Sequence, residues 1–156
     1  MNSQEIICLN FNEIRRRSIK VWLGIPQDKY DWKPDASAMT CIEIIRHIIE
    51  SQYIYQQIVI NRGDLGELIT PWQDKPYMSI EAEIAFASPH HEAFMKVISK
   101  FSEKELEEID IVRPKANLKR KLGDYLQRIA YHEAIHTGQL LSYLRTMNVD
   151  RPQIWD

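Results

Sequence analysis

One stripe of apolar residues near the end of the chain limits its fold more than any other feature. Leu122, Tyr125, Leu126, Ile129, Leu140, Tyr143 and Met147 recur at helical spacing, and His132 and His136 interrupt the same stripe. That period belongs to one face of a long helix, expected from about Leu118 to Met147, and such a face must be buried against other helices. Three earlier segments carry the same signal. The first runs from Gln4 to Trp22 on Ile7, Phe11, Ile14, Ser18 and Val21, with Ser3 as its expected N-cap and Gly24 and Pro26 as its stop. The second starts at a capping box, Thr40-Cys41-Ile42-Glu43, carries Ile44, Ile45, Ile48 and Ile49, and ends near Asn61 and Gly63. The third spans Ser79 to Phe101, with a kink expected at Pro89.

The connections complete the plan. The link from Gly63 to Met78 is longer than a helical hairpin needs, long enough to cross the length of a bundle. Ser102-Glu103-Lys104-Glu105 is a second capping box and opens a short helical turn, and Ile109 to Asn117 reads as extended. With only 5 glycines in 156 residues, and neither a repeat nor an interdomain linker, the expectation is one all-α domain over residues 1–156.

Composition narrows the function classes. Lys+Arg 20 against Asp+Glu 22 gives a net charge of −2, which offers no broad footprint for nucleic acid. Arg15, Arg16 and Arg17 are the exception, read as a solvated face. No apolar run approaches the ~20 residues that span a bilayer, and the first residues lack a signal-peptide pattern, so a cytoplasmic protein without a membrane partner is expected. Cys8 and Cys41 are too few for a disulfide framework and read as reduced thiols.

The histidines carry the chemistry. His132 and His136 are four apart on the core-facing stripe of a helix, so their rings stack on one side and need partners inside the protein. His47 lies on the inner flank of the second helix and is the third candidate ligand. Three imidazoles with a fourth position open would suit zinc, and nickel at a higher coordination number. His90 and His91, beside the expected kink, read as a solvated pair. The same segment, His132-Glu133-Ala134-Ile135-His136, also spells H-E-x-x-H, in which zinc peptidases place Glu as a general base. The usual third ligand is missing, because Gln139 and Ser142 stand where a glycine and a histidine would continue that motif.

Taken together, Asp28-Lys29-Tyr30-Asp31-Trp32-Lys33-Pro34, then Thr40 to Ile48 with its histidine, then His132-Glu133-Ala134-Ile135-His136-Thr137-Gly138-Gln139 resemble the DinB family of metal-binding helical bundles. The resemblance covers nearly the whole chain. It implies a four-helix bundle, up-down-down-up, with a crossover connection between helices two and three. It implies a divalent zinc or nickel held by His47, His132 and His136, and a homodimer. The family often has a basic residue where this chain has Thr137. Related bundles include enzymes that use a low-molecular-weight thiol, so the resemblance leads to a metal-dependent thiol transferase or hydrolase acting on a small electrophilic substrate. Glu133 is the candidate base or orienting residue, set against an ordinary exposed helical glutamate. The alternative is a non-catalytic, metal-binding stress-response dimer, with the H-E-x-x-H peptidase as a minor third.

Overall fold

The computed structural model describes residues 1–155. Helix α1 spans Ser3–Leu23, α2 Cys41–Asn61, α3 Ile80–Ile98, the short α4 Glu103–Glu108, and α5 Leu122–Thr146. The starts of these helices are set locally. The Thr40 hydroxyl accepts the Glu43 amide at 3.3 Å while the Glu43 carboxylate takes the Thr40 amide at 2.7 Å. Ser102 and Glu105 repeat the arrangement at α4. On α1 the cap is Asn2 rather than Ser3: its side chain accepts from the Glu5 amide at 3.0 Å, and Glu5 reaches back to the Asn2 amide. Each such cap satisfies orphan donors of the first turn and contributes about 1 kcal/mol. Pro89 does not divide α3, which is one helix on both sides of it.

The fold is mainly helical but not wholly so, which corrects the all-α expectation. Strand β1, Asp110–Arg113, pairs antiparallel with β2, Leu118–Lys121, so that Asp110 faces Lys121 and Arg113 faces Leu118. The last helix therefore begins at Leu122, not Leu118. The extended form wins there because β1 supplies a ladder, because Asn117 turns the chain in the left-handed region (φ 49°), and because Lys119 and Lys121 both reach Asp110 across the hairpin, at 3.0 and 2.9 Å. The hairpin is docked on the end of α2: the Val112 amide donates to the Arg62 carbonyl at 3.1 Å, and Gly63 bridges to Val112. A Cβ on Gly63 would stand 2.5 Å from the Val112 carbonyl oxygen, so only glycine permits this approach.

Helix α5 packs against both α1 and α2, and α3 also packs against both. Their buried side chains form two apolar clusters. One gathers Trp22, Ile44, Ile45, Ile48, Leu140 and Leu144; the other gathers Phe11, Phe94, Ile98, Ile111, Leu126 and Ile129. Full burial of side chains this size stabilises by roughly 1.5–3 kcal/mol each. Between the clusters in sequence, on four helices, lie polar residues: Arg15 and Ser18 on α1, Gln52 on α2, His91 on α3, Glu133 and Thr137 on α5. They pair between helices as Arg15 with Glu133, Ser18 with Thr137 and Gln52 with His91.

Candidate metal centre

The three histidines meet at the seam between α2 and α5. The ring of His47 meets His132 and His136 at centroid separations of 5.0 and 4.8 Å, and the latter two stand 4.6 Å apart. Each of the three offers a ring nitrogen within 4.8 Å of the other two, and the Nε2 atoms of His47 and His132 are 3.1 Å apart. All three residues are half-buried, reachable from solvent yet held by their helices.

Neighbours fix the rings. His136 Nδ1 is 2.9 Å from Gln139 Oε1, an oxygen that can only accept. Gln139 then donates to the Tyr143 hydroxyl at 3.2 Å, and that hydroxyl donates to the Met39 carbonyl at 3.2 Å. The Ser51 hydroxyl lies 3.5 Å from His47 Nδ1, and Tyr55 meets the His132 ring edge-on at 5.7 Å. Burial pushes the His132 imidazole down to about 4, helped by the nearby His136 and His47. Burial and then His136 lower that of His47, with Glu50 opposing. Both rings are therefore neutral at neutral pH, the form that ligates.

The donor set fits a divalent cation. Two nitrogens on one zinc ion can stand no farther apart than about 4.2 Å, twice the bond length. The 3.1 Å pair is inside that limit, and no ligand nitrogen of the three lies farther than 4.8 Å from another. Converging imidazole nitrogens, with Ser51 beside the His47 ring and Gln139 beside that of His136, suit a cation.

The other sequence candidates land differently. Glu133 is buried and paired, not an exposed helical glutamate. It is 3% exposed, and its two carboxylate oxygens accept from Arg15 Nε and Nη2 at 2.8 and 2.9 Å. The same pair corrects the reading of Arg15 as solvated; Arg16 does pair with Glu13 at 2.9 Å in a part-exposed setting, and Arg17 donates to the Ile154 carbonyl at 3.0 Å. Nor are His90 and His91 a solvated pair. His91 bridges Gln52 and Asn12 at 2.9 and 3.1 Å, and burial pushes it down to about 4; His90 packs among Tyr53, Trp72 and Phe86. Thr137 is buried, its hydroxyl 2.7 Å from that of Ser18, and serves the α1–α5 contact.

Sequence reasoning missed a second buried ion pair. Arg46 donates to both oxygens of Glu83 on α3 and to the carbonyls of Lys75 and Pro76 at 3.1 and 2.9 Å. Its signal was an arginine set among Ile44, Ile45, Ile48 and Ile49, a charge inside an apolar face that must find a partner.

Comparison with known proteins places this arrangement. The model of the DinB superfamily matches residues 10–140, and the chain belongs to that family. It is 28% identical over 125 residues to the uncharacterized protein YjoA of Bacillus subtilis (strain 168), an alignment covering 79% of this chain and 77% of that one. The crystal structure of the DinB-like protein YjoA from Bacillus subtilis superposes with a TM-score of 0.72 at 21% identity, over 95% of this chain and 96% of the other.

Proposed function

We propose that the protein binds one divalent ion, zinc or nickel, through His47, His132 and His136, and uses that centre to act on a small electrophilic molecule with a low-molecular-weight thiol or water. The observation that carries the reading is the convergence of three half-buried imidazole nitrogens within 4.8 Å. An ion held there supplies Lewis acidity and lowers the pKa of a thiol or water in its open position. The chain's own residues do the rest. Gln139 holds the ring of His136 at Nδ1, and Tyr143 holds Gln139. Tyr55 forms a wall beside His132. Glu133 acts through Arg15 as a positioning residue for the helix that carries two ligands, rather than as a base.

The scaffold of this reading is an up-down-down-up four-helix bundle. Side-chain pairings support it: Asn10 with Gln127 and Ser18 with Thr137 run α1 parallel to α5, whereas His47 near His136 and Tyr55 near Tyr125 run α2 against it. Arg46 with Glu83 and Gln52 with His91 run α3 alongside α2. The working form is a cytoplasmic homodimer that binds no nucleic acid. Its apolar surface includes Ile6, Leu9, Tyr131 and Ile135, and no helix among the described residues is long and apolar enough to cross a membrane.

Metal analysis of protein purified without a histidine tag tests the centre. One equivalent per chain is expected, and its absence under metal-replete growth overturns the proposal. A thiol-transfer assay on the loaded protein then separates the enzyme from the second reading, a non-catalytic metal-binding dimer. That reading gains ground if the metal is present and no electrophile is consumed. The half-burial of all three ligands, which leaves solvent access, favours the enzyme.

A further inference from the structure

A cleft of about 400 Å³ opens where α2, the segment after it and the turn of the β1–β2 hairpin meet. Ile54, Ile58, Leu65 and Leu68 give it apolar walls, and Asp64, Arg113 and Lys115 bring charge to it. It is a built feature. The close approach at Gly63 docks the hairpin, and Asp64 fastens the turn by accepting from Arg113 Nε at 3.1 Å and from the Lys115 backbone amide at 2.9 Å.

The charge balance is uneven. The Asp64 carboxylate is taken by Arg113, Lys119 and Lys121 share Asp110, and Arg120 holds Asp124. The ammonium of Lys115 has no ion-pair partner among the described residues, and the residue is exposed. That ammonium acts on Asp64 at longer range, helping the Lys115 backbone amide and Arg113 to hold its carboxyl below the usual range. Two cations therefore face one carboxylate, and one net positive charge stands at a part-apolar cleft of a size that suits small ligands. The complementary molecule is a monoanion with an apolar body.

The cleft and the histidines lie at different levels of α2. His47, Ser51, Ile54 and Ile58 follow one another at helical spacing on α2, so Ile54 lies about 10 Å along the helix from His47. On the α5 side, Arg113 Nη1 donates to the Tyr125 hydroxyl at 3.4 Å, Tyr125 meets Tyr55 edge-on at 6.3 Å, and Tyr55 meets His132.

We infer that this cleft binds small carboxylates with an apolar body, anchored by Lys115. This binding stands on the cleft alone and does not depend on the metal-centre reading. The test is a titration of the full chain, metal-free, with 3-phenylpropionate and with its neutral amide, followed by two-dimensional NMR. Saturable shifts are expected at the amides of Gly66, Lys115 and Ala116, with affinity for the amide about tenfold weaker, the loss of roughly one charged contact. Lys115→Glu should weaken 3-phenylpropionate by at least about tenfold. The Lys115 ammonium makes no hydrogen bond or close ion pair among the described residues and reaches Asp64 only at longer range. Lys115→Gln, which removes the charge without adding a carboxylate beside Asp64, is therefore measured alongside and should weaken the probe likewise while its melt stays close to that of the wild type. Unsaturable or absent shifts, equal binding of acid and amide, or wild-type affinity in Lys115→Glu each overturn the inference. Metal content measured on the same samples reports separately on the histidine centre, so the two readings fail independently.

Discussion

The Nε2 atoms of His47 and His132 face each other at 3.1 Å across the seam between α2 and α5, from positions 85 residues apart in the chain. Neither ring has its proton on both nitrogens near neutral pH, because burial disfavours the charged form. A cation shared with His136 would satisfy both lone pairs and tie the two helices together.

His132→Ala should abolish stoichiometric metal binding and lower the melting temperature to that of chelator-treated wild type, because an ion bound only by the native state stabilises it by mass action. His90→Ala should keep the metal, since His90 packs on Tyr53, Trp72 and Phe86 away from the three ligands. Metal content by mass spectrometry and a thermal melt decide both; an H132A protein with a full equivalent of metal would remove His132 from the ligand set.

Arg15→Ala should destabilise the fold by about 3–5 kcal/mol, the usual cost of stranding one charge of a buried pair. Both partners are almost fully buried and the contact is bidentate, so little water is at hand to compensate. Urea denaturation measures this, and a loss below about 1 kcal/mol would mean that Glu133 finds another donor.

The metal-free protein should lose stability as pH falls from about 6.5 toward 4. His132 and His91 are each pushed down to about 4 by burial, and His47 is lowered too, so the unfolded chain takes up protons that the native chain refuses. The contribution of these groups is complete above the unfolded value near 6.5 and fades on the way to 4. Urea midpoints across that range check it. In His91→Gln, which retains a hydrogen-bonding side chain but cannot titrate, the slope should be shallower.

Gly63→Ala should cost about 1–3 kcal/mol, because its Cβ would collide with the Val112 carbonyl oxygen at 2.5 Å and push the hairpin off α2. Gly66→Ala, where nothing lies within 4 Å, should change stability by less than about 0.5 kcal/mol. Equal effects of the two substitutions would argue that the hairpin is not docked this way.

What the sequence disclosed was mostly local. Thr40 and Glu43, or Ser102 and Glu105, are three residues apart, and their capping bonds form within one turn whatever the rest of the chain does. The histidine stripe was readable for the same reason, since helical spacing alone puts His132 beside His136. The failures were non-local. Leu118 and Leu122 keep a helical interval, yet the pairing of Asp110 with Lys121 outweighs it. Nothing near Arg15 announces Glu133, 118 residues further on, so an arginine in a run of three passed for surface. The difference between Asn2 and Ser3 as cap is a single residue, decided by which one stands three before Glu5.

The two ion pairs of the interior have a mechanical consequence. Arg46 immediately precedes His47 and is gripped by Glu83 of α3; Glu133 immediately follows His132 and is gripped by Arg15 of α1. Each ligand-bearing helix is thereby pinned against rolling about its own axis, at the residue next to a donor. In the proposed centre the imidazoles would sit as jaws of fixed gauge, and an ion of the wrong radius would have to be met by bending side chains rather than by turning helices. Discrimination among metals would then be written partly in Arg15 and Glu83, two residues that never touch the ion.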